Sequence, residues 1–150
     1  MKVNFDRATF KDKNLAGLGG VIRNDRGLVM AAFTQTIPLP TRDGGSVGST
    51  QCFGFGARTK SESVQLKGDS EVIINALSKG GMDSSSYGHI IKDIKFLSSA
   101  FQCLSFCHTH RQGNKVAHCL ARSACKFSPF QVWMEEIPLE FESMYSADIP

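Results

Sequence analysis

Ser63-Val64-Gln65-Leu66-Lys67-Gly68-Asp69-Ser70 decides the fold. Val64 and Leu66 alternate with polar neighbours, the period of a half-buried β-strand. Directly after it, Ser70 to Lys79 takes up a helical period with Val72, Ile73, Ala76 and Leu77 on one face, stopped by Gly80-Gly81. A strand that runs straight into a helix predicts a crossover and hence a parallel portion of sheet. Asp69 then stands at the strand's carboxyl end, the ligand crevice of such sheets.

A second carboxylate lies in a matching position. Lys2-Val3-Asn4-Phe5-Asp6 has the same alternation and delivers Asp6 to the end of its strand. Each residue alone has a plain reading: Asp69 fits a helix N-terminus, and Asp6 fits a solvent-facing strand position. Brought together, two carboxylates form a hard, oxygen-rich site suited to Mg²⁺, the donor chemistry of metal-assisted phosphodiester hydrolysis.

The remaining periodicity completes an α/β chain. Lys2 to Phe10 reads as the first strand and Leu15 to Arg23 as a glycine-rich second. Asn24-Asp25-Arg26-Gly27 is a turn, and Leu28 to Ile37 a third strand ended by Pro38 and Pro40. Ile90, Ile91, Ile94, Leu97 and Phe101 mark an amphipathic helix. Leu104, Phe106 and His108 alternate as a fifth strand, and Asn114 is expected to cap a helix carrying Val116, Ala117, Leu120, Ala121 and Ala124. Residues 1–127 thus form one domain, and 128–150, with Trp133 and three prolines, reads as an extended C-terminal arm.

At 150 residues the chain is long enough for one domain with a real core. A net charge of +3 is too mild to argue by itself for a nucleic-acid partner. No apolar run approaches the ~20 residues of a membrane span. Met1-Lys2-Val3-Asn4 leads straight into a strand with no secretory signal, and five cysteines make an odd set. These features point to a reducing interior, nucleus or cytoplasm undistinguished, and to a monomer without membrane attachment. Cys103, Cys107, His108, His110, His118 and Cys119 lack paired zinc-ligand spacing and read as buried thiols and surface histidines.

Four motifs in order carry a resemblance. They are Asn-Phe-Asp at 4–6, Gly-Leu-Gly-Gly-Val-Ile-Arg-Asn-Asp-Arg-Gly at 17–27, Lys-Gly-Asp-Ser at 67–70, and Arg-Gln-Gly-Asn-Lys-Val-Ala-His-Cys-Leu-Ala at 111–121. With Val-Trp-Met-Glu-Glu-Ile-Pro at 132–138, they resemble the ribonuclease H-like domain of the plant, retroelement-type reverse-transcriptase-like branch. The resemblance implies a five-stranded mixed sheet flanked by helices, nucleic acid as partner (an RNA–DNA hybrid or RNA), and hydrolysis of the RNA strand. It also implies four carboxylates holding two Mg²⁺ ions, with Asp6 and Asp69 in two of those places and Mg²⁺ or Mn²⁺ as cofactor.

The chain departs from that pattern in three places. His118 stands where the last-helix Asp belongs, and a neutral imidazole is a poor Mg²⁺ ligand that suits Mn²⁺ or Zn²⁺ better. Arg7 replaces the Gly that usually follows the first Asp, either reaching a phosphate or pointing to the other strand face. The helix that should carry the second carboxylate falls in about residues 41–62, a glycine-rich stretch without helical period. Residues 48–60 read as a frame-shifted rendering of that helix: one choice of codons for Gly48 to Thr59, started a base later, encodes an Ala/Leu-rich helix led by Glu. By the same resemblance His108 takes the place of a loop histidine that assists the reaction or product release. Arg111, Gln112 and Asn114 take backbone-phosphate contacts. Two carboxylates in place of four predict impaired cleavage or a binding domain without catalysis.

Overall fold

The computed structural model describes residues 1–39, 63–79 and 103–146. Strands β1 (Lys2–Phe10), β2 (Leu15–Arg23), β3 (Val29–Pro38), β4 (Ser63–Gly68), β5 (Cys103–His108) and β6 (Phe130–Met134) form one mixed sheet in the order β5-β4-β1-β2-β3-β6. β1 is parallel to β4, and β4 to β5; the other neighbours pair antiparallel. The turn before β3 is held locally, since Asn24 Oδ1 accepts from the amides of Arg26 and Leu28. Gly27 supplies the φ of +83° that a side chain would resist.

Helix α1 (Glu71–Ser78) covers one face of the sheet and helix α2 (Lys115–Ser123) the other. Strand alternation sorts the residues between them. Val3, Ile22, Val64 and Leu66 form a cluster with Leu77 of α1, whereas Val21 and Ala32 meet Val116 and Leu120 of α2. Ile74 is buried as well, a position outside the expected apolar face of α1. The approach of α2 is set by Gly17 and Gly19, where any Cβ would collide with the backbone of Ala121. With no side chain between them, helix and sheet come into backbone contact.

Two expectations are corrected here. The sheet has six strands among the described residues, not five, because the supposed arm supplies β6, which pairs with β3 from Ala31↔Met134 to Gln35↔Phe130. Beyond it, Ile137 and Phe141 are buried in the α2 cluster, and Trp133 packs edge-on to Phe127 at 4.9 Å. A five-residue strand offset by Pro129 and ended by Glu135 at φ 59° carries too short a pattern to be told from a loop. The thiols are also less buried than expected: Cys103 is exposed, and Cys107, Cys119 and Cys125 are half-buried. The expected helix around Ile90–Phe101 and the frame-shift reading of residues 48–60 lie outside the described residues.

Candidate active site

The parallel pairing of β1 with β4, in register from Lys2↔Gln65 to Asn4↔Lys67, sets the two strand ends side by side. Asp6 is on β1, and Asp69 follows the last residue of β4, two positions before α1 begins at Glu71. Their carboxylates are close enough to share a hydrogen bond. Burial pushes the Asp69 carboxyl above its usual value, and the negative charge of Asp6 and the bond to it push further the same way. A backbone hydrogen bond and the Arg111 guanidinium oppose the rise. Arg111 Nε stands 3.8 Å from Asp69 Oδ2, with its own side chain 81% exposed, so that ion pair is weak.

His118 reaches Asp6 from α2. Its Nδ1 donates to Asp6 Oδ2 at 2.6 Å, across 112 residues of chain. The other oxygen, Oδ1, accepts the Arg7 amide at 2.7 Å. Arg7 follows Asp6 along an alternating strand, so its side chain belongs to the opposite face, and its buried Nε has no hydrogen-bond partner among the described residues. A phosphate contact from Arg7 beside Asp6 is therefore not what this geometry offers.

Loop residues gather around Asp69. His108, the last residue of β5, donates from Nε2 to the Asp69 carbonyl at 3.1 Å, and the Thr109 amide donates to the Gly68 carbonyl at 2.9 Å. These bonds tie the β5 exit to the β4 exit. Arg111 and Gln112 are exposed on the short 3₁₀ turn Arg111–Asn114 that precedes α2.

Asn114 differs from its expected role. It stands at the start of α2, yet its side chain makes no capping bond. It is 1% exposed, and its Nδ2 donates to the Phe5 carbonyl at 2.9 Å while its Oδ1 accepts from Asn4 Nδ2 at 3.1 Å. An amide buried this completely lies out of reach of a phosphate. Its effect is positional: with Asn4, which also donates to the Gly113 carbonyl at 3.1 Å, it pins the start of α2 to β1 and so fixes His118 over Asp6. Asn4 was not singled out from sequence. Its signal was the alternation that puts it, two residues before Asp6, on the same strand face.

Asp6 and Asp69 are hard oxygen donors of the kind that hold a divalent cation. The crowded Asp6–Asp69 pair gains from a positive charge between its carboxylates. But Asp6 Oδ2 is already taken by His118, and among the described residues no group of three His, Cys, Asp or Glu side chains is arranged to hold a metal ion. The position expected to carry the second carboxylate lies outside those residues.

The reverse transcriptase-like family matches residues 4–124, more than half of the chain. The chain belongs to that family. Its fold is ribonuclease H-like: RNase H1 from the halophilic archaeon Halobacterium salinarum NRC-1 superposes with a TM-score of 0.68 at 22% identity, over 83% of this chain and 96% of that one. The N-terminal RNase H domain of a Mycobacterium tuberculosis protein, solved as a maltose-binding-protein fusion, gives 0.69 at 18% identity over 83% and 92%. LC11-RNase H1, solved in complex with an RNA/DNA hybrid, gives 0.64 at 19% identity over 83% and 96%. No curated protein matches the chain by sequence. Among the described residues of this ribonuclease H-like domain, no helix is long and apolar enough to cross a membrane.

Proposed function

We propose that this ribonuclease H-like domain binds RNA–DNA hybrid at the Asp6–Asp69 end of the sheet, and that its hydrolytic activity is impaired. The observation that carries the reading is the carboxylate pair on adjacent parallel strand ends with His118, not a carboxylate, bonded to Asp6. The family and the hybrid-bound relative support the choice of nucleic acid. Asp6 and Asp69 would hold Mg²⁺ or Mn²⁺ weakly. Such an ion would supply Lewis acidity at the scissile phosphate.

The rest of the site has work that needs no ion. Arg111 and Gln112, exposed beside Asp69, meet the phosphate backbone. His108 stands at the rim with its imidazole oriented by the Asp69 carbonyl, a position from which it would assist the leaving strand. Asn4 and Asn114 hold β1 and α2 together beneath them. The His118–Asp6 bond also favours a second reading, a domain that binds without cutting, because a histidine brings no negative charge and its bond engages one oxygen of Asp6.

Filter binding on RNA–DNA hybrid, duplex DNA and single-stranded RNA tests the first half of the proposal. Hybrid should bind more tightly than duplex DNA, with an affinity that falls as salt rises. Equal or weaker binding of hybrid at every salt concentration would overturn it.

A further inference from the structure

Beside His118 lies a concavity of about 470 Å³. It is lined by Arg111, Gln112, Lys115, His118, Cys119 and Met144. Lys115, His118 and Cys119 are spaced i, i+3, i+4 and so share one face of α2. Met144, from the short helix α3 (Glu142–Ser146), closes the floor, and the Cys119 thiol donates to its Sδ at 3.2 Å. Burial pushes the Cys119 thiol up, so the floor stays a neutral thiol–thioether surface.

Floor and rim differ in chemistry. The floor is apolar and polarisable, while Arg111 and Lys115 on the rim are exposed cations. A free phosphate would satisfy the rim and leave the floor uncovered; an apolar ring alone would do the reverse. The ligand that satisfies both has an apolar face at one end and an anionic group at the other. His118 belongs both to this wall and to the Asp6 contact, so such a ligand would sit next to the carboxylate pair. Met144 lies beyond residue 124, where the family match ends, so the floor depends on this chain's C-terminal segment.

We propose that this concavity seats one splayed nucleotide of an RNA strand, its base against Cys119 and Met144 and its phosphate between Arg111 and Lys115. The inference rests on the nucleic-acid reading above. Bases unstacked from a strand are commonly held on arginine planes and on aromatic or imidazole rings. Here the same surface is made by sulfur, with the His118 imidazole at its edge.

The test uses the full chain and RNA strands carrying a single 4-thiouridine, alone or paired with DNA. After irradiation the crosslink should map to the peptide holding Cys119 or the one holding Met144. Met144→Asp should weaken RNA binding about tenfold, the scale of one lost base contact, and Met144→Leu should leave it unchanged. Crosslinks confined to other peptides while RNA still binds would overturn the subsite and leave the hybrid-binding proposal standing. Failure of the unaltered chain to bind RNA or hybrid would overturn both. Protection of the crosslink by a fatty-acid anion, but not by a mononucleotide, would assign the pocket to a different ligand and also refute the inference.

Discussion

Gly19→Ala should do more damage than any other single methyl group added to this sheet. Gly19 pairs with Asp6 across β1 and β2, and α2 lies directly on it. An added Cβ would overlap the Ala121 amide nitrogen and stand 2.6 Å from the Ala117 carbonyl oxygen and 2.7 Å from the Leu120 carbonyl carbon. All three are backbone atoms, so no rotamer change relieves the contact, and the helix must retreat by about 1 Å through a core packed near crystal density. Val116, Ala117, Leu120 and Ala121, each at most 1% exposed, would lose contacts together. Overpacking costs 1–3 kcal/mol where side chains can adjust; here the cost should reach about 3 kcal/mol. For a domain of this size that lowers Tm by roughly 6–12 °C. Gly68→Ala is the control: the nearest atoms to its Cβ belong to the Phe5 ring, 2.9 Å away, which can turn aside, so the loss should stay below about 1 kcal/mol. Thermal melts followed by circular dichroism measure both. If Gly19→Ala melts within 2 °C of the unaltered protein, or no lower than Gly68→Ala, the backbone contact that sets α2 over the site is wrong.

Asp69→Asn should stabilise the ion-free protein at pH 7 by about 1 kcal/mol, roughly 2–4 °C in Tm, because it removes a partly desolvated charge beside Asp6. The Asp69 carboxyl titrates higher in the folded chain than its ordinary 3.8, so the native state binds the extra proton. Stability therefore falls as pH rises from 3.8 through the raised folded value, and Asn should abolish that segment of the Tm–pH curve. Millimolar Mg²⁺ or Mn²⁺ should raise the Tm of the unaltered protein and leave Asp69→Asn unmoved; equal shifts would count against a cation at this pair. Asn114→Leu should cost about 1–3 kcal/mol in chemical denaturation, since Asn4 Nδ2 loses one of its two acceptors and the Phe5 carbonyl loses the Asn114 donor; a loss under 0.5 kcal/mol would refute the bridging role. Arg111→Glu should weaken hybrid binding and make its salt dependence shallower by about one phosphate contact, with Tm unchanged, whereas an unaltered salt slope would remove Arg111 from the interface.

The parts of this site legible in sequence are those governed by local period. Alternation in Lys2–Asp6 and Ser63–Gly68 placed both Asp residues at strand ends, and the helical run after Ser70 required the parallel pairing that joins them. His118 was visible through motif order. What it touches was not, because a 2.6 Å bond spanning 112 residues is fixed by how closely α2 lies on Gly17 and Gly19. Asn114 was misread for a physical reason: an asparagine before a helix is the usual capping signal, and only the nearness of Asn4 turns its amide back into the sheet. The segment from Phe130 to Phe141 was misread as an arm because its strand is short, Pro129 and Pro138 flank it, and its buried anchors Ile137 and Phe141 follow no strand or helix period.

The central claim is that the pair Asp6 and Asp69, with His118 in place of a third carboxylate, supports hybrid binding better than hydrolysis. Cleavage of an RNA–DNA hybrid by the unaltered chain in Mg²⁺ and in Mn²⁺, beside Asp69→Asn, tests it most directly. Hybrid should be bound in both conditions, with slow or no product in Mg²⁺ and any product in Mn²⁺ abolished by Asp69→Asn. Rapid multiple-turnover cleavage in Mg²⁺ that disappears in Asp69→Asn would contradict it.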